Sequence, residues 1–463
     1  MQQRSERLHE TWMHSDRYIP RRFVAPVVAF MRAEAGSGII MLIAAVVAVI
    51  WANSTLGDTY FEILETHLKI EFGSFHFDES VEHLINDGLM AIFFFVVGLE
   101  IKRELVLGEL RDPKAASVPV IAALGGMVIP ALVYLAFVLP EGGEAAEGWA
   151  IPMATDIAFS VGVLALLGRM VPASIKLFLL ALAIVDDLGG ILVIAIFFTD
   201  DLAFGYLAAA FLGLAVVWLA SRAGIRTHIF YLPVALTIWY FFLESGVHAT
   251  LAGVALAFLT PVRPMYSNLE LKARSQTIID GYPEDTDDLH ENELADFDSL
   301  MLSEIARESV GPLARAERRL VYWSSFLVVP LFALANAGVR FEGSIGDALT
   351  SPVALGVAMG LVVGKTVGIS AFTWIAVRTG LGRLPAGSTW RHIFGVASVA
   401  GIGFTVALFI TALAFTDQAI ADQAKVGIFA GSILAGIIGV IVFRTGKAIS
   451  EPSGQDLEPV HAV

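Results

Sequence analysis

Apolar runs of about twenty residues recur along the whole chain, and short polar loops separate them. Twenty residues is roughly the length that an α-helix needs to cross the hydrocarbon layer, and no alternation of period two, typical of barrel strands, replaces these runs. The pattern therefore predicts an all-α polytopic membrane protein with about twelve transmembrane helices. Their predicted centres lie near Ala45, Phe94, Val128, Phe159, Val185, Phe211, Ile238, Val254, Val329, Gly364, Ala407 and Ile437.

Basic residues are concentrated in alternate loops, while the intervening loops are acidic. Lysine and arginine favour the cytoplasmic side of a membrane protein, so both termini are predicted to be cytoplasmic. The basic loops contain Arg21 and Arg22, Lys102 to Lys114, Arg169 and Lys176, Arg222 and Arg226, Arg378 to Arg391, and Arg444 and Lys447.

Two loops differ from the others in length and pattern. Between spans one and two, LKIEFGSFHFDES alternates apolar and polar residues around Gly73 and Ser74, which predicts a short β-hairpin, with an irregular loop as the alternative. Between spans eight and nine, an insert at 263–316 contains the acidic stretch YPEDTDDLHENELADFDSLMLSE. It has little apolar surface, so most of it is predicted to be disordered, although apolar residues near Leu300 could dock as a short helix.

These loops divide the chain into four parts. We expect an N-terminal membrane half at 1–262, the acidic cytoplasmic insert at 263–316, a C-terminal membrane half at 317–446 and a cytoplasmic tail at 447–463.

Composition supports the membrane assignment and limits the possible chemistry. Of 463 residues, 56% are hydrophobic and only 16% charged, with a mean hydropathy of +0.72, whereas soluble proteins have about 25% charged residues. The absence of cysteine excludes disulfides and thiolate metal sites. Much of the net charge of −15 belongs to the insert, so it gives no reason to expect a nucleic-acid or soluble partner, and membrane lipid is the expected surrounding.

Three predicted spans contain helix-breaking residues at membrane depth. Span four has Pro152 before Thr155 and Asp156, span eleven has Gly395, Gly401 and Gly403, and span five has Gly189 and Gly190. Spans four and eleven also resemble each other weakly, as ATDIAFSVGVLALL and AGIGFTVALFITAL. Interrupted helices in corresponding positions of two halves indicate an inverted repeat with a binding site between the halves.

Four ionisable residues lie near the middle of predicted spans: Asp156, Asp186, Asp187 and Lys365. A charge at mid-bilayer costs roughly 2.5 to 3.5 kcal/mol, so the set needs partners, protons or an ion. A buried ion pair that only fixes helix packing is the structural alternative, but three carboxylates and one ammonium leave excess negative charge. A hard cation with oxygen ligands or a proton can neutralise that charge, and competition between the two at an alternating-access site is antiport.

A second group of charges lies at the cytoplasmic end of span two, where Glu100, Lys102, Arg103 and Glu104 follow one another closely, with Asp87 deeper in the span. This cluster is either an interfacial anchor or a functional element, namely a funnel for ions or a proton-sensitive gate. His248, near the outer end of span eight, is either structural or a modulator that responds to pH.

Several motifs together resemble one transporter family. GWAIPMATDIAFSVGVLALLG, LALAIVDDLGGILVIAIF, SGVHATLAGV, LFALANAGV, GKTVGIS and GIGFT are similar to the NhaA family of bacterial Na+/H+ antiporters, from span one to span twelve. The resemblance implies an inverted-repeat fold of twelve helices with two broken ones, in an inner-membrane homodimer. It also implies electrogenic exchange of Na+ or Li+ for a larger number of protons at alkaline pH, serving sodium and pH homeostasis without a cofactor.

The resemblance also implies roles for individual residues. Asp186 and Asp187 correspond to the ion and proton carriers, and Thr155 is a candidate neighbouring ligand. Lys365 is expected to pair with Asp186, while Asp156 balances the helix ends that meet at the two breaks. Glu100, Glu104 and Glu317 match positions associated with pH response. Asp87 and His248 join this predicted set from their place in the sequence and not from the resemblance.

Two features depart from the family pattern. The long acidic insert replaces a short basic loop, and Arg318 stands where some members have histidine. Both are expected at the cytoplasmic face, so they affect the expectation for regulation and not for the transport core.

Other classes of membrane protein also bury carboxylates. An intramembrane aspartyl protease needs a Gly-x-Gly-Asp signature that the chain lacks, and a retinal pump needs seven spans with a lysine in the last. The chain is therefore predicted to be a secondary transporter and not an enzyme. A symporter or a divalent-cation transporter remains the alternative.

Overall fold

The computed structural model describes residues 36–72, 75–140, 142–199, 202–282, 289–340 and 345–445. These residues are mostly helical and include one two-stranded antiparallel sheet, which confirms the predicted all-α membrane architecture with a small hairpin.

Elements are numbered in chain order. The strands are β1 (His67–Phe72) and β2 (Phe75–Ser80). The α-helices are α1 (Gly36–Ala52), α2 (Gly57–Glu65), α3 (Met90–Leu107), α4 (Pro113–Val138), α5 (Ile157–Leu167), α6 (Ala173–Phe197), α7 (Phe204–Arg222), α8 (His228–Leu243), α9 (Thr250–Leu259), α10 (Asn268–Asp280), α11 (Leu289–Glu308), α12 (Pro312–Trp323), α13 (Val329–Asn336), α14 (Ile345–Thr350), α15 (Pro352–Met359), α16 (Lys365–Arg378), α17 (Trp390–Val399), α18 (Phe404–Ala414) and α19 (Gln418–Arg444). The unnumbered helical segments are α-helical at Val81–His83, 3-10 helical at Glu109–Arg111, Gly143–Met153 and Gly168–Met170, and π-helical at Leu84–Leu89, Ser324–Val328 and Gly360–Gly364.

Within the described ranges, seven helices are long and apolar enough to cross a membrane, and three bent helix pairs raise that number to ten. Two shorter apolar helices lie at Ile229–Leu243 and Thr250–Leu259. Each predicted span centre falls within one of these helices, while the count of twelve spans and the inverted repeat stay predictions.

Two of the bent pairs are the predicted broken helices. The 3-10 helix Gly143–Met153 meets α5 at 43°, and α17 meets α18 at 48°. The third bent pair is α1 with α2, at 111°. The glycines of span five do not interrupt their helix, because α6 runs continuously through Gly189 and Gly190. A helical glycine costs only about 1 kcal/mol, which packing of an apolar helix readily offsets.

The described residues form two compact units. The first unit contains Lys114–Asp187 and the described residues of 345–445. Its core consists of side chains from α4, α5, α6, α16, α17 and α19, including Leu164, Leu179 and Ile393, all fully buried.

The second unit contains Ile40–Pro113 and Leu188–Arg340. Helices α3 and α9 pack closely in this unit, because glycines allow their backbones to approach. A Cβ atom on Gly253 would lie 2.1 Å from the Ala91 carbonyl oxygen, so only glycine fits there. Small residues at helix contacts are typical of membrane bundles.

A π-helical turn, Gly360–Gly364, directly precedes Lys365. Gly364 lies against Pro130 of α4, and a Cβ atom there would approach the Pro130 Cα to 2.6 Å. Such turns often lie at functional sites, and the sequence pattern did not predict this one.

The predicted hairpin is confirmed by β1 and β2, although its turn at Gly73 and Ser74 lies outside the described residues. Lys69 faces Asp78 across the strands and donates a hydrogen bond of 2.8 Å to it. The hydrogen bonds from Lys69 and His67 lower the pKa of Asp78 below its ordinary value.

The insert differs from the predicted disorder. Its described residues form α10 and α11, and Ser267 begins α10 with a capping box closed by Glu270. Half-buried Leu271 and Leu302 show that each helix has an inner apolar side despite the acidic composition. The pattern near Leu300 was therefore part of a helix of twenty residues.

Other predictions fall outside the described residues. They concern the N-terminal segment 1–35, the tail 447–463 and the most acidic part of the insert, 283–288.

Candidate functional site

The centre of the candidate site is an ion pair between Lys365 and Asp186, both completely enclosed at their side chains. The Lys365 Nζ donates to Asp186 Oδ2 at 2.5 Å and to the Thr155 hydroxyl at 2.9 Å. The other carboxylate oxygen of Asp186, Oδ1, is buried and has no hydrogen-bond partner among the described residues. A buried carboxylate oxygen without a donor is costly, so this atom marks a place where a proton or a cation can bind.

Asp187 is the next residue along α6 and is also buried. Consecutive helical residues point about 100° apart, so Asp187 presents its carboxylate in a different direction from Asp186. The pair therefore offers two carboxylates that point in different directions, and the carboxylate of Asp186 accepts a hydrogen bond from Lys365.

Asp156 lies at the first break and caps two helices. Its Oδ1 accepts a hydrogen bond from the Phe159 amide at 3.1 Å, at the beginning of α5. Its Oδ2 accepts from the Thr405 amide at 3.1 Å and from the Thr405 hydroxyl at 2.6 Å, at the beginning of α18. Helix N-termini carry a partial positive charge of roughly half a unit each, so one carboxylate neutralises both ends.

The two breaks are also joined through their backbones. The Asp156 amide donates to the Ile402 carbonyl at 2.7 Å, and the Thr155 hydroxyl donates to the Ala400 carbonyl at 2.9 Å. The Ser160 hydroxyl donates to the Val399 carbonyl at 3.1 Å. The carbonyl groups that α17 leaves free at its end thus receive donors from the other broken span.

This arrangement can bind a small cation through oxygen atoms. Asp186 Oδ1, the Asp187 carboxylate and the Thr155 hydroxyl are ligands of the type that hard cations prefer. The same carboxylates can bind protons instead, because a carboxylate removed from water holds a proton more tightly. Lys365, Asp156 and the helix ends supply the fixed charges around them.

In the second unit, the predicted cytoplasmic cluster assembles around Arg103. The Arg103 guanidinium contacts Glu317 of α12 closely, and it also lies 3.4 Å from Glu104 and 3.7 Å from Glu100. The structure thus brings three predicted residues for pH response onto one arginine.

Asp87 and His248 do not belong to this cluster. Asp87 lies in the π-helical turn before α3, thirteen residues from Glu100, which along a helix is roughly 20 Å. The Trp239 indole donates to the Asp87 carbonyl at 3.0 Å. His248 lies in the turn before α9, at the other end of that helix from Phe258, whose carbonyl accepts from Lys102.

Some site residues were not found from the sequence. Thr405 and Ser160 are ordinary residues of apolar helices, and only contacts with partners 249 and 239 residues away distinguish them. A further buried charge outside this group of contacts, Lys425, could have been found from the sequence, because it is a charged residue within an apolar run, three residues after Asp422. It is buried at 9% exposure and lies 3.4 Å from Asp422.

Comparisons with known proteins show which proteins the chain is similar to. The family model for Na+/H+ antiporter 1 matches residues 28–443. The chain is 44% identical over 439 residues to the Na(+)/H(+) antiporter NhaA of Syntrophobacter fumaroxidans, covering 93% of each chain. It is 45% identical over 429 residues to the NhaA antiporter of Sulfurimonas denitrificans, covering 91% of this chain and 96% of that one. It is also 45% identical over 422 residues to the antiporter NhaA 2 of Pseudomonas syringae pv. syringae, covering 91% and 95%.

Proposed function

The chain belongs to the Na+/H+ antiporter 1 family of membrane transporters, and from this premise we propose that it exchanges Na+ or Li+ for a larger number of protons at Asp186 and Asp187. The ions are substrates of transport and not cofactors. The observation that carries the proposal is the buried, unpartnered Oδ1 of Asp186, beside Thr155 and the Lys365 ammonium.

In the proposed exchange, the cation binds Asp187, Asp186 Oδ1 and Thr155 when both carboxylates are deprotonated. Protonation of either carboxylate removes a negative ligand, so proton and cation cannot occupy the site together. Competition of this kind couples the two fluxes without any separate device, provided that the site opens to one side at a time. Two titratable carboxylates allow two protons to replace one Na+, which makes the exchange electrogenic.

Lys365 and Asp156 have supporting roles in this proposal. Lys365 holds Asp186 in place through its hydrogen bond of 2.5 Å and supplies a fixed positive charge. Asp156 neutralises the ends of α5 and α18, so the helix ends do not repel an arriving cation.

The proposed activation at alkaline pH is assigned to the cytoplasmic cluster. Three carboxylates, Glu100, Glu104 and Glu317, share the single guanidinium of Arg103, and charge repulsion among them depends on how many are protonated. Asp87 and His248 are assigned a separate influence on pH response, since they lie apart from this cluster.

The proposed setting is the bacterial inner membrane, with both termini in the cytoplasm and two copies in a homodimer. The alternation of basic and acidic loops supports the orientation. The hairpin of β1 and β2 supports an assembly, because an isolated two-stranded hairpin is only marginally stable.

Proteoliposomes with an imposed proton gradient, acid inside, test the exchange directly. Addition of Na+ outside should dissipate the gradient, because Na+ entry drives protons out. Asp187→Asn should abolish this response while leaving expression and melting temperature close to wild type, since the amide keeps the shape and lowers the cost of burial. Asp347→Asn, at an exposed aspartate of α14, is the matched control and should retain exchange.

The direction of the proton signal separates the alternatives. A symporter would carry protons inward with Na+ and increase the acid gradient. A divalent-cation transporter would respond to Ca²⁺ or Mg²⁺ and not to Na+. Full exchange by a correctly inserted Asp187→Asn variant would refute the assignment of this carboxylate.

A further inference from the structure

In the second unit, the two ends of the insert are hydrogen-bonded to each other. We call these two segments, 261–265 and 308–313, the neck of the insert. The Met265 amide donates to the Glu308 carbonyl at 2.9 Å, and the Leu313 amide donates to the Pro261 carbonyl at 3.0 Å. Gly311 packs so closely that a Cβ atom would lie 2.1 Å from the Val262 carbonyl oxygen. The segment that follows α9 and the segment that precedes α12 are therefore held together where α10 and α11 begin and end.

Glu308, the last residue of α11, is buried in this neck between two arginines. Arg315 donates to its Oε1 at 2.7 Å and to its Oε2 at 3.4 Å, and Arg226 donates to its Oε2 at 2.9 Å. Arg226 belongs to the loop between α7 and α8, and Arg315 to the first turns of α12. One carboxylate of the insert thus joins two membrane elements of the unit.

The same end of α12 carries Glu317, two residues after Arg315. Glu317 contacts Arg103 of α3, and the neighbouring Lys102 donates to the Phe258 and Thr260 carbonyls at 2.6 Å each. Pro261 follows directly and accepts the Leu313 amide. The beginning of α12 is therefore held by a ring of contacts that includes Glu308.

We propose that Glu308 is a positioning residue for pH response: by holding Arg226 and Arg315 it fixes the start of α12, and with it the contact between Glu317 and Arg103. The inference rests on the proposed function of that cluster and extends it to a residue of the acidic insert.

Glu308 acts as a fixed anchor and not as the sensor. Burial opposes ionisation of Glu308, but hydrogen bonds from Arg315 and Arg226 outweigh it and lower the pKa of the carboxyl below its ordinary value. We call the ion pairs of Glu308 with Arg226 and Arg315 the clamp. Because the folded-state pKa of Glu308 is lowered, the clamp is complete at neutral pH and is lost only as the pH falls through that lowered value. The charged groups facing Glu308 are Arg226, Arg307 and Arg315, and those around Glu317 and Arg103 are Glu100 and Glu104.

Glu308→Gln tests the proposal in proteoliposomes, with the pH of half-maximal Na+/H+ exchange as the readout. Without the clamp the contact between Glu317 and Arg103 loosens, and a loosened ion pair forms only at higher pH, so we expect an alkaline shift of about half a pH unit or more. Simple loss of a negative charge beside two arginines would shift the curve toward acid instead. Glu304→Gln, at an exposed residue one turn earlier in α11, removes the same charge and should leave the curve unchanged.

Two further variants separate positioning from folding. Arg315→Gln combined with Glu308→Gln should shift the curve no further than Glu308→Gln alone, because both changes remove the same clamp.

Replacing residues 268–303 by a short Gly-Ser linker keeps Glu308, so the pH dependence of exchange should remain that of wild type. Adding Glu308→Gln to that deletion should restore the alkaline shift. Melting temperature and size-exclusion profile identify any variant that is misfolded, and Arg226→Gln then tests the clamp from its other side.

The outcomes distinguish this inference from the proposed function. If the exchange rate of the wild-type protein did not increase with pH, the proposed function on which this inference rests would be refuted. Normal wild-type activation with an unchanged or acid-shifted curve for Glu308→Gln and Arg226→Gln would refute the positioning role alone. A shift caused by the deletion itself would assign the effect to α10 and α11 and overturn the role of Glu308.

Discussion

At the scale of single residues, the buried pair of Lys365 and Asp186 should contribute to stability as well as to transport. Lys365→Ala leaves the Asp186 carboxylate buried without its cation, an effect of about 3 to 5 kcal/mol for fully buried pairs and less where water enters. We expect a clear fall in the melting temperature in detergent. Lys425→Ala is the matched control, because its pair with Asp422 is longer, at 3.4 Å, and less enclosed, so its loss should cost less.

Combining Lys365→Ala with Asp186→Asn checks that the two residues act together. Once the lysine is absent, the neutral amide should restore stability or leave it unchanged. If Asp186→Asn lowered the melting temperature of both backgrounds equally, the two side chains would be independent and the pairing would be wrong.

The charged residues of the candidate site could be predicted from the sequence, because burying a charge within an apolar run costs free energy and such residues therefore stand out. Asp156, Asp186, Asp187 and Lys365 interrupt apolar runs, and the resemblance to the NhaA family added Thr155 and Glu317. Their partners could not be predicted, because a hydroxyl such as Thr405 has no such cost. Its bond to Asp156 depends on how segments 249 residues apart meet.

At the scale of elements, the break between α17 and α18 depends on Gly401. A Cβ atom at this position would lie 2.3 Å from the Leu361 carbonyl oxygen, which belongs to the backbone and cannot move freely. Gly401→Ala should therefore lower stability by about 1 to 3 kcal/mol and reduce exchange, because it displaces the end of α17. Melting temperature and proteoliposome exchange measure the two effects.

Gly205→Ala is the comparison, because nothing lies within 4 Å of a Cβ atom at this position in α7. Its melting temperature should equal or slightly exceed that of wild type, since alanine favours the helix. Equal behaviour of the two variants would contradict the close approach at the break.

Breaks were predicted best where several signals coincided. Span four combined Pro152 with a polar Thr-Asp pair, whereas span five had Gly189 and Gly190 after its acidic pair but no proline, and its helix remained intact. Glycine keeps the backbone N–H donor that proline lacks. The π-helical turns had no sequence signal, and the one at Gly360–Gly364 packs against Pro130, which is distant in the sequence. The insert formed helices because a capping box and a modest inner apolar side suffice once its neck is closed.

At the scale of the whole molecule, competition between protons and Na+ makes a quantitative prediction. If one proton competes for the site, the apparent Na+ constant should rise about tenfold for each pH unit below the pH at which the site is protonated, and more steeply for two. Saturating Na+ should then restore the rate at lower pH. Na+ titrations of wild type and Glu100→Gln at several pH values measure this dependence.

A cytoplasmic gate predicts a different result. The maximal rate would collapse on acidification at an unchanged Na+ constant, and no concentration of Na+ would restore it. Recovery of that rate in Glu100→Gln would place the switch at the cluster around Arg103 and would reject competition as the dominant effect.

The double cap at Asp156 has an electrical consequence for the proposed exchange. With its charge balanced by the ends of α5 and α18, only Lys365, Asp186, Asp187 and the bound ions contribute net charge to the site. Occupied by Na+, that group sums to zero, whereas with two protons it sums to one positive charge. A membrane potential does work of about 2.3 kcal/mol per charge at 100 mV. The membrane potential therefore acts on the step in which the site moves with two protons bound, and the step in which it moves with Na+ bound does not depend on voltage.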